Sequence, residues 1–217
     1  MNKALIILSV ILVTSCAAPV AKVAVSNISE SSSLIVTDLR PKSEKESKAF
    51  SYIITSKAYA TYRRGDDLLN PPPMRLFQHR AYEKFNPIGK SPEIKVYHLV
   101  VYMNLKSELR RGGFGAVLGG AIGGAISAVT NDNTVNGIFS TVDRSEFNSL
   151  SKSEYKRALY TKEENPEKAS VFVVYIDAEV DGKRTFIKTI TPTNIPGEQN
   201  SHLAAVETAI EYFLQKY

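Results

Sequence analysis

The chain has 217 residues, 43% of them apolar and 23% charged, with a formal net charge of +5, one cysteine and no tryptophan. That length gives one domain with a real core and too little chain for two comfortable ones. The net charge is mild and its signs interleave, as in Lys42-Ser43-Glu44-Lys45-Glu46, so no basic stripe for nucleic acid emerges; a lone cysteine excludes an internal disulfide.

Asn2 and Lys3 make a short polar, positive start, Ala4 through Val13 is almost unbrokenly apolar, and the run closes on Val13-Thr14-Ser15-Cys16. This is the layout of a secretory signal peptide over residues 1–15. The apolar run is roughly half the ~20 residues that a membrane-spanning helix needs. Val13, Thr14, Ser15 and Cys16 resemble the lipobox of bacterial lipoproteins, an aliphatic residue and two small ones before a cysteine. The resemblance implies that the Cys16 thiol carries a diacylglycerol, that the signal is cut just before it, and that the new amino group is acylated. It also implies transfer to the outer membrane, facing the periplasm, because Ala17 stands where an Asp would favour inner-membrane retention. Several acyl chains anchor stably where one binds only reversibly, so the first partner expected is the membrane itself. A cut after Ala18 would instead leave Pro19 first, and the rigid proline ring makes that bond a poor one to cleave.

Residues 16–33, rich in Ser and small side chains, read as the acylated cysteine and a tether, with a single domain over 34–217. Leu34 to Leu39 is a β-branched run stopped by Arg40-Pro41, a first strand, followed by a charged connector over Lys42–Lys48. Ser51 to Tyr62 alternates as a second strand, and Arg63-Arg64-Gly65-Asp66-Asp67 reads as a turn. The Arg64-Gly65-Asp66 triplet matches an integrin-binding motif, but Gly and Asp are ordinary turn chemistry. After Asn70-Pro71-Pro72-Pro73, the spacing of Met74, Phe77, Ala81 and Phe85 predicts an amphipathic helix ended by Asn86-Pro87-Ile88-Gly89. His79 reads as a surface or boundary histidine. Gly89-Lys90-Ser91 lacks the upstream glycine of a phosphate-binding loop, and Pro92 follows where N–H donors are needed.

Glu93 to Leu105 carries apolar residues on both faces, as a central strand does. Ile94, Val96, His98, Val100 and Tyr102 are expected to point one way and Tyr97, Leu99, Val101 and Met103 the other, with His98 a satisfied sheet residue. Gly112 to Val129 is an uncharged stretch in which Gly115, Gly119 and Gly123, and likewise Gly120 and Gly124, repeat every four residues. On a helix these form two smooth stripes that let another helix approach. In water each Gly costs ~1 kcal/mol against Ala, so an isolated soluble helix is disfavoured. The stretch resembles the glycine-zipper regions of bacterial envelope lipoproteins, which implies helix packing, self-association or membrane contact through those glycines. A mobile glycine-rich insertion between strands is the alternative from the residues themselves.

Asn131 to Ser140 reads as loop, and Ser151-Lys152-Ser153-Glu154 as a capping box opening a short helix with Tyr155, Ala158 and Leu159 inward. Val171–Val180 and Lys183–Ile190 flank Asp181-Gly182, a favoured hairpin turn. Asp177, Glu179 and Asp181 alternate along one strand and read as a solvated face rather than a metal site. Leu203, Val206, Ile210 and Phe213 predict a closing amphipathic helix, with His202 at its solvated start. The expected fold is α+β: a mixed or antiparallel sheet with two amphipathic helices on one face and the 112–129 insertion. No serine elbow or His-Glu-x-x-His pair is present and the three His are isolated, so no catalytic residue, metal or cofactor is expected. The functional expectation is a non-catalytic lipid-anchored envelope protein that binds or scaffolds an envelope partner, or one that oligomerises through the glycine zipper.

Overall fold

In a computed structural model of the chain, residues 20–51, 60–105, 138–161, 163–164, 169–194 and 200–217 are described. Their strands are β1 (Ala21–Lys22), β2 (Val36–Asp38), β3 (Lys48–Ser51), β4 (Ala60–Arg64), β5 (Leu69–Asn70), β6 (Ile94–Leu105), β7 (Ile138–Thr141), β8 (Val171–Val180) and β9 (Lys183–Pro192). The helices are α1 (Pro73–Phe85), α2 (Arg144–Ser149) and α3 (Ser201–Leu214). The fold is α+β, as the alternation of β-branched runs and amphipathic stretches predicts.

β6 is the spine of the sheet. Its order is β3-β4-β6-β8-β9-β7, every neighbouring pair antiparallel, while β2 pairs parallel with the first residues of β6. β8 runs along one edge of β6 from Ile94 to Asn104. The other edge is shared: β2 takes Ile94–Val96 and β4 takes Val101–Leu105. The β8–β9 hairpin turns at Asp181 (φ 47°) and Gly182 (φ 81°), the two positive φ values that its tight turn requires.

α1 and α3 cover one face of this sheet. Phe77, Ala81 and Phe85 of α1 and Val206, Ile210 and Phe213 of α3 are buried with Leu99, Val101 and Ile176, and the Phe77 and Phe213 rings lie 5.6 Å apart. Each such large side chain contributes about 1.5–3 kcal/mol on burial. α1 stops at Asn86-Pro87, beyond which Gly89 takes φ 67°, a conformation that glycine adopts without strain. α3 starts at Asn200, whose Oδ1 accepts from Leu203 N at 3.1 Å.

The other face carries a second core of Val100, Tyr102, Val173, Tyr175 and Phe186, roofed by Phe147 and Ala158. α2 and the tighter turns over Leu150–Ala158 form that roof, a second helical layer that the amphipathic pattern does not reveal. Asp143 starts α2 by accepting from Ser145 N and Glu146 N, so the helix begins before the expected capping box at Ser151. Tyr155 and Leu159, expected inward, are exposed.

Several boundaries differ from expectation. The strand over 51–62 is the end of β3 and the start of β4, two antiparallel strands with residues 52–59 outside the description. Arg63 and Arg64 belong to β4 and are buried, so the turn begins only at Gly65. Residues 138–140 of the expected loop belong to β7, on the edge of β9. A bulge between Val96 and His98 breaks the alternation of β6, which places Ile94 and Val96 with Leu99, Val101 and Met103 under the helices. His98, Val100 and Tyr102 then face the roof. Part of the stretch 16–33, expected as a tether, packs on the domain. β1 pairs with β5, Val25 packs on the helix-side core, and Arg75 Nη2 donates to the Ile28 carbonyl and to Ser32 Oγ.

Candidate functional site

The sheet face under α2 gathers the polar chemistry of the described residues. The bulge turns His98 toward Phe147 and Phe186, with ring centroids 4.9 and 6.0 Å away. Nδ1 of His98 donates to Glu44 Oε1 at 2.7 Å. That bond fixes the imidazole orientation. Glu44 sits in the turn Lys42–Lys45, where a charged connector is expected, yet it is buried and its Oε2 has no hydrogen-bond partner. Arg157, stacked on Phe147 at 3.7 Å, brings Nη1 to 4.0 Å from Glu44 Oε1 and so balances the carboxylate.

A second group lies further along β6 and β4. Arg63 Nη1 donates to Glu154 Oε1, and the Tyr102 hydroxyl donates to the same oxygen at 3.0 Å. Burial and then the Glu154 charge push the Tyr102 phenol well above its ordinary range, so it stays a neutral donor. These pairs bind the turns over 42–45 and 150–158 to the sheet.

Beside them opens a cavity of about 310 Å³ between the β7–β9 end of the sheet and the cover formed by residues 144–161 and Glu164. Phe147 and Tyr175 make its aromatic wall, and Glu146, Lys156, Glu164 and Lys188 supply charge. Lys188 Nζ donates to both Glu164 oxygens, at 2.8 and 3.0 Å. Tyr175 donates its hydroxyl to the Arg157 carbonyl at 3.0 Å, and burial, followed by the Glu164 charge, raises its phenol. The cavity is mixed in character: Ser140, Thr141 and Thr161 join the apolar side chains in its lining, which carries both signs of charge.

Other sequence candidates resolve differently. Asp177, expected on a solvated face, is buried, because Arg144 and Arg184 each grip its carboxylate with two nitrogens. His79 and His202, expected at surfaces, are buried too. His79 Nε2 lies 3.2 Å from Glu83 Oε1 but makes no hydrogen bond, and His202 stacks on Phe172 at 5.6 Å. Arg64 of the Arg64-Gly65-Asp66 triplet is buried and Asp66 accepts from Arg40, so the triplet is spent inside the fold. No group of three or more potential metal ligands occurs among the described residues, and no described helix is long and apolar enough to cross a membrane. Val13, Thr14, Ser15, Cys16 and the zipper glycines Gly115, Gly119, Gly120, Gly123 and Gly124 lie outside the described residues.

Sequence reasoning missed Glu44, Arg157, Glu164 and Lys188. Glu44, Arg157 and Glu164 lie in charged, turn-forming stretches that read as solvated, while Lys188 lies within β9. One signal was present: His98 interrupts an otherwise apolar strand face. No family model, curated protein or solved structure matches this chain.

Proposed function

We propose that the protein is a lipid-anchored envelope protein, held by acyl chains on Cys16 at the periplasmic face of the outer membrane, whose domain binds a partner rather than transforming it. The observation that carries this reading is the closeness of anchor and fold. β1 begins at Ala21, five residues beyond Cys16, and is already paired with β5. Five residues of extended chain span at most about 17 Å, so an acylated Cys16 keeps the domain against the lipid headgroups. The binding role is supported by the use of the charged groups on the second sheet face. Glu44, Arg63, Glu154, Glu164 and Lys188 are engaged in hydrogen bonds and ion pairs that join cover to sheet beside a cavity.

Metabolic labelling with a radioactive or clickable fatty acid tests the anchor. Wild-type chain is expected to carry label and to fractionate with the outer membrane, and Cys16→Ser to carry none. Equal labelling of the two chains would overturn the reading.

A further inference from the structure

β2 lies at one edge of the sheet, and no described strand pairs with its outer side. Ile35, Thr37 and Leu39 are all exposed there. Residues two and four apart on a strand share a face. Val36, of the opposite parity, packs on the helix-side core, so Ile35, Thr37 and Leu39 form one row turned away from it. Ile35 is 72% exposed, the highest value for a large apolar side chain among the described residues, and Leu39 is 48% exposed. Single exposed aliphatics need no explanation, but two on one row of an open edge make a local apolar contact surface.

The exposed charge next to this row is positive. Asp38 is neutralised by Arg40 at 3.0 Å and Lys45 at 2.9 Å, and Glu44 is buried. Lys42, three residues beyond Leu39, is exposed. Aliphatic side chains with a lysine beside them match a bilayer surface, where the apolar groups enter the acyl boundary and the ammonium meets lipid phosphates.

The route of the chain selects that occupant. Ala21 and Lys22 pair with Leu69 and Asn70. Leu68 N donates to Gly65 O in the turn before them, and Asp66 of that turn accepts from Arg40, the neighbour of Leu39. The segment leading back to Cys16 therefore leaves the fold beside the turn to which Leu39 is tied. Acyl chains on Cys16 would hold this edge to the leaflet with at most about 17 Å of chain between them. β7, at the opposite edge, stands four strand spacings from β2, roughly 19 Å across the sheet.

We infer that the row Ile35, Thr37 and Leu39, with Lys42, is a second membrane contact, seated on the headgroup boundary of the leaflet that takes the Cys16 acyl chains. The inference rests on the anchor reading and adds to it which edge of the domain meets lipid.

The chain has no tryptophan, so a single introduced indole reports its own surroundings. Ile35→Trp, Leu39→Trp and, at the far edge, Phe139→Trp are each prepared as the full-length lipoprotein in vesicles of phosphatidylethanolamine and phosphatidylglycerol. Part of the lipid carries bromine near the headgroup end of its acyl chains. Bromine quenching at positions 35 and 39 is expected to be at least twofold stronger than at 139. All three side chains are exposed, so melting temperatures, measured alongside, should stay at the wild-type value. A second readout needs no tryptophan. Hydrogen exchange of amides 35–39 should be at least tenfold slower in wild type on vesicles than in Cys16→Ser in solution, with 138–141 unchanged. Fatty-acid labelling of the same samples separates the two readings. Labelled protein with unquenched indoles at 35 and 39 would overturn the membrane contact and leave the anchor standing, whereas unlabelled protein would overturn both. An emission shift at 35 or 39 that follows protein concentration instead of brominated lipid would assign the row to a second copy. Equal quenching at all three positions would show no preferred edge. Either result also overturns the assignment.

Discussion

Arg40 donates from Nη1 to the main-chain carbonyl of Leu99 at 3.2 Å, on the edge of β6 opposite β8, in the gap that β2 and β4 leave between them. β2 ends its pairing at Val96 and β4 begins at Val101, and Leu39 N closes part of the gap by donating to Val96 O at 2.8 Å. The guanidinium supplies the donor that a continuous strand would have given. Its remaining N–H groups hold Asp38 and Asp66, so one buried side chain ties the β2 end, the turn after β4 and the middle of β6 together. The rigid five-donor fork suits Arg and not Lys.

Arg40→Met is therefore expected to lower stability by about 3 kcal/mol, the scale of a buried ion pair broken from one side, measured by urea denaturation. Arg40→Lys should recover little of it. Burial opposes ionisation of Asp38, but hydrogen bonds from Arg40 and Lys45 outweigh it and hold that carboxyl at about 2. The stability it contributes is present above pH 3.8 and is lost as pH falls through 2. In Arg40→Met the Asp38 titration, followed by NMR, should move up toward 3.8.

His202 gives a separate acid sensitivity. It is buried in the first turn of α3, and desolvation, followed by the nearby Arg64 charge, holds its imidazole at about 3 against an ordinary 6.5. The unfolded chain takes up a proton below pH 6.5 that the folded one refuses until about 3. Stability must then fall as the pH is lowered across that window, by up to about 1.4 kcal/mol per pH unit. His202→Phe, which keeps a ring against Phe172, should flatten the slope of melting temperature between pH 6 and 4. An unchanged slope would assign the acid sensitivity to other groups.

Elements with their own period were legible in the sequence. Met74, Phe77, Ala81 and Phe85 mark α1, Leu203, Val206, Ile210 and Phe213 mark α3, and Asp181-Gly182 marks the hairpin, because each pattern is enforced locally. What escaped was decided by distant chain. Arg63, Arg64, Glu44 and Asp177 look solvated in sequence and are buried only because β6, the roof and the opposing arginines surround them. The bulge at Val96–His98 leaves no sequence mark either, yet it decides which face receives His98 and so where the candidate site forms.

Gly65 is required for a reason other than its backbone angle. A Cβ built there would lie 2.6 Å from Ser47 N, a main-chain atom that cannot swing aside, and 2.5 Å from Asp67 Oδ1. The close approach lets Gly65 N donate to Ser47 Oγ at 2.9 Å, which ties the turn after β4 to the start of β3. Gly65→Ala is expected to cost about 1–3 kcal/mol, the range for forced overpacking, and to be read as a lower urea midpoint with an unchanged slope. A neutral Gly65→Ala would show that the turn can shift away from β3.

Arg64 should show the opposite behaviour, a substitution that stabilises. Its Nε and Nη1 are buried without a hydrogen-bond partner, and burial pulls its guanidinium down to about 10 even though Asp67 works to raise it. It remains charged at neutral pH, so the fold bears the desolvation of a cation whose donors are not fully used. Unmade buried hydrogen bonds cost about 1–3 kcal/mol, and an apolar side chain of similar length removes that cost. Arg64→Met is accordingly expected to raise stability by about 1–2 kcal/mol in urea denaturation. It should also raise the His202 titration from about 3, because the cation that disfavours a second positive charge is gone. The two readouts are separable: a stabilised variant with an unmoved His202 would confine the effect to desolvation. A destabilised one would mean that the guanidinium is engaged in an interaction the fold depends on.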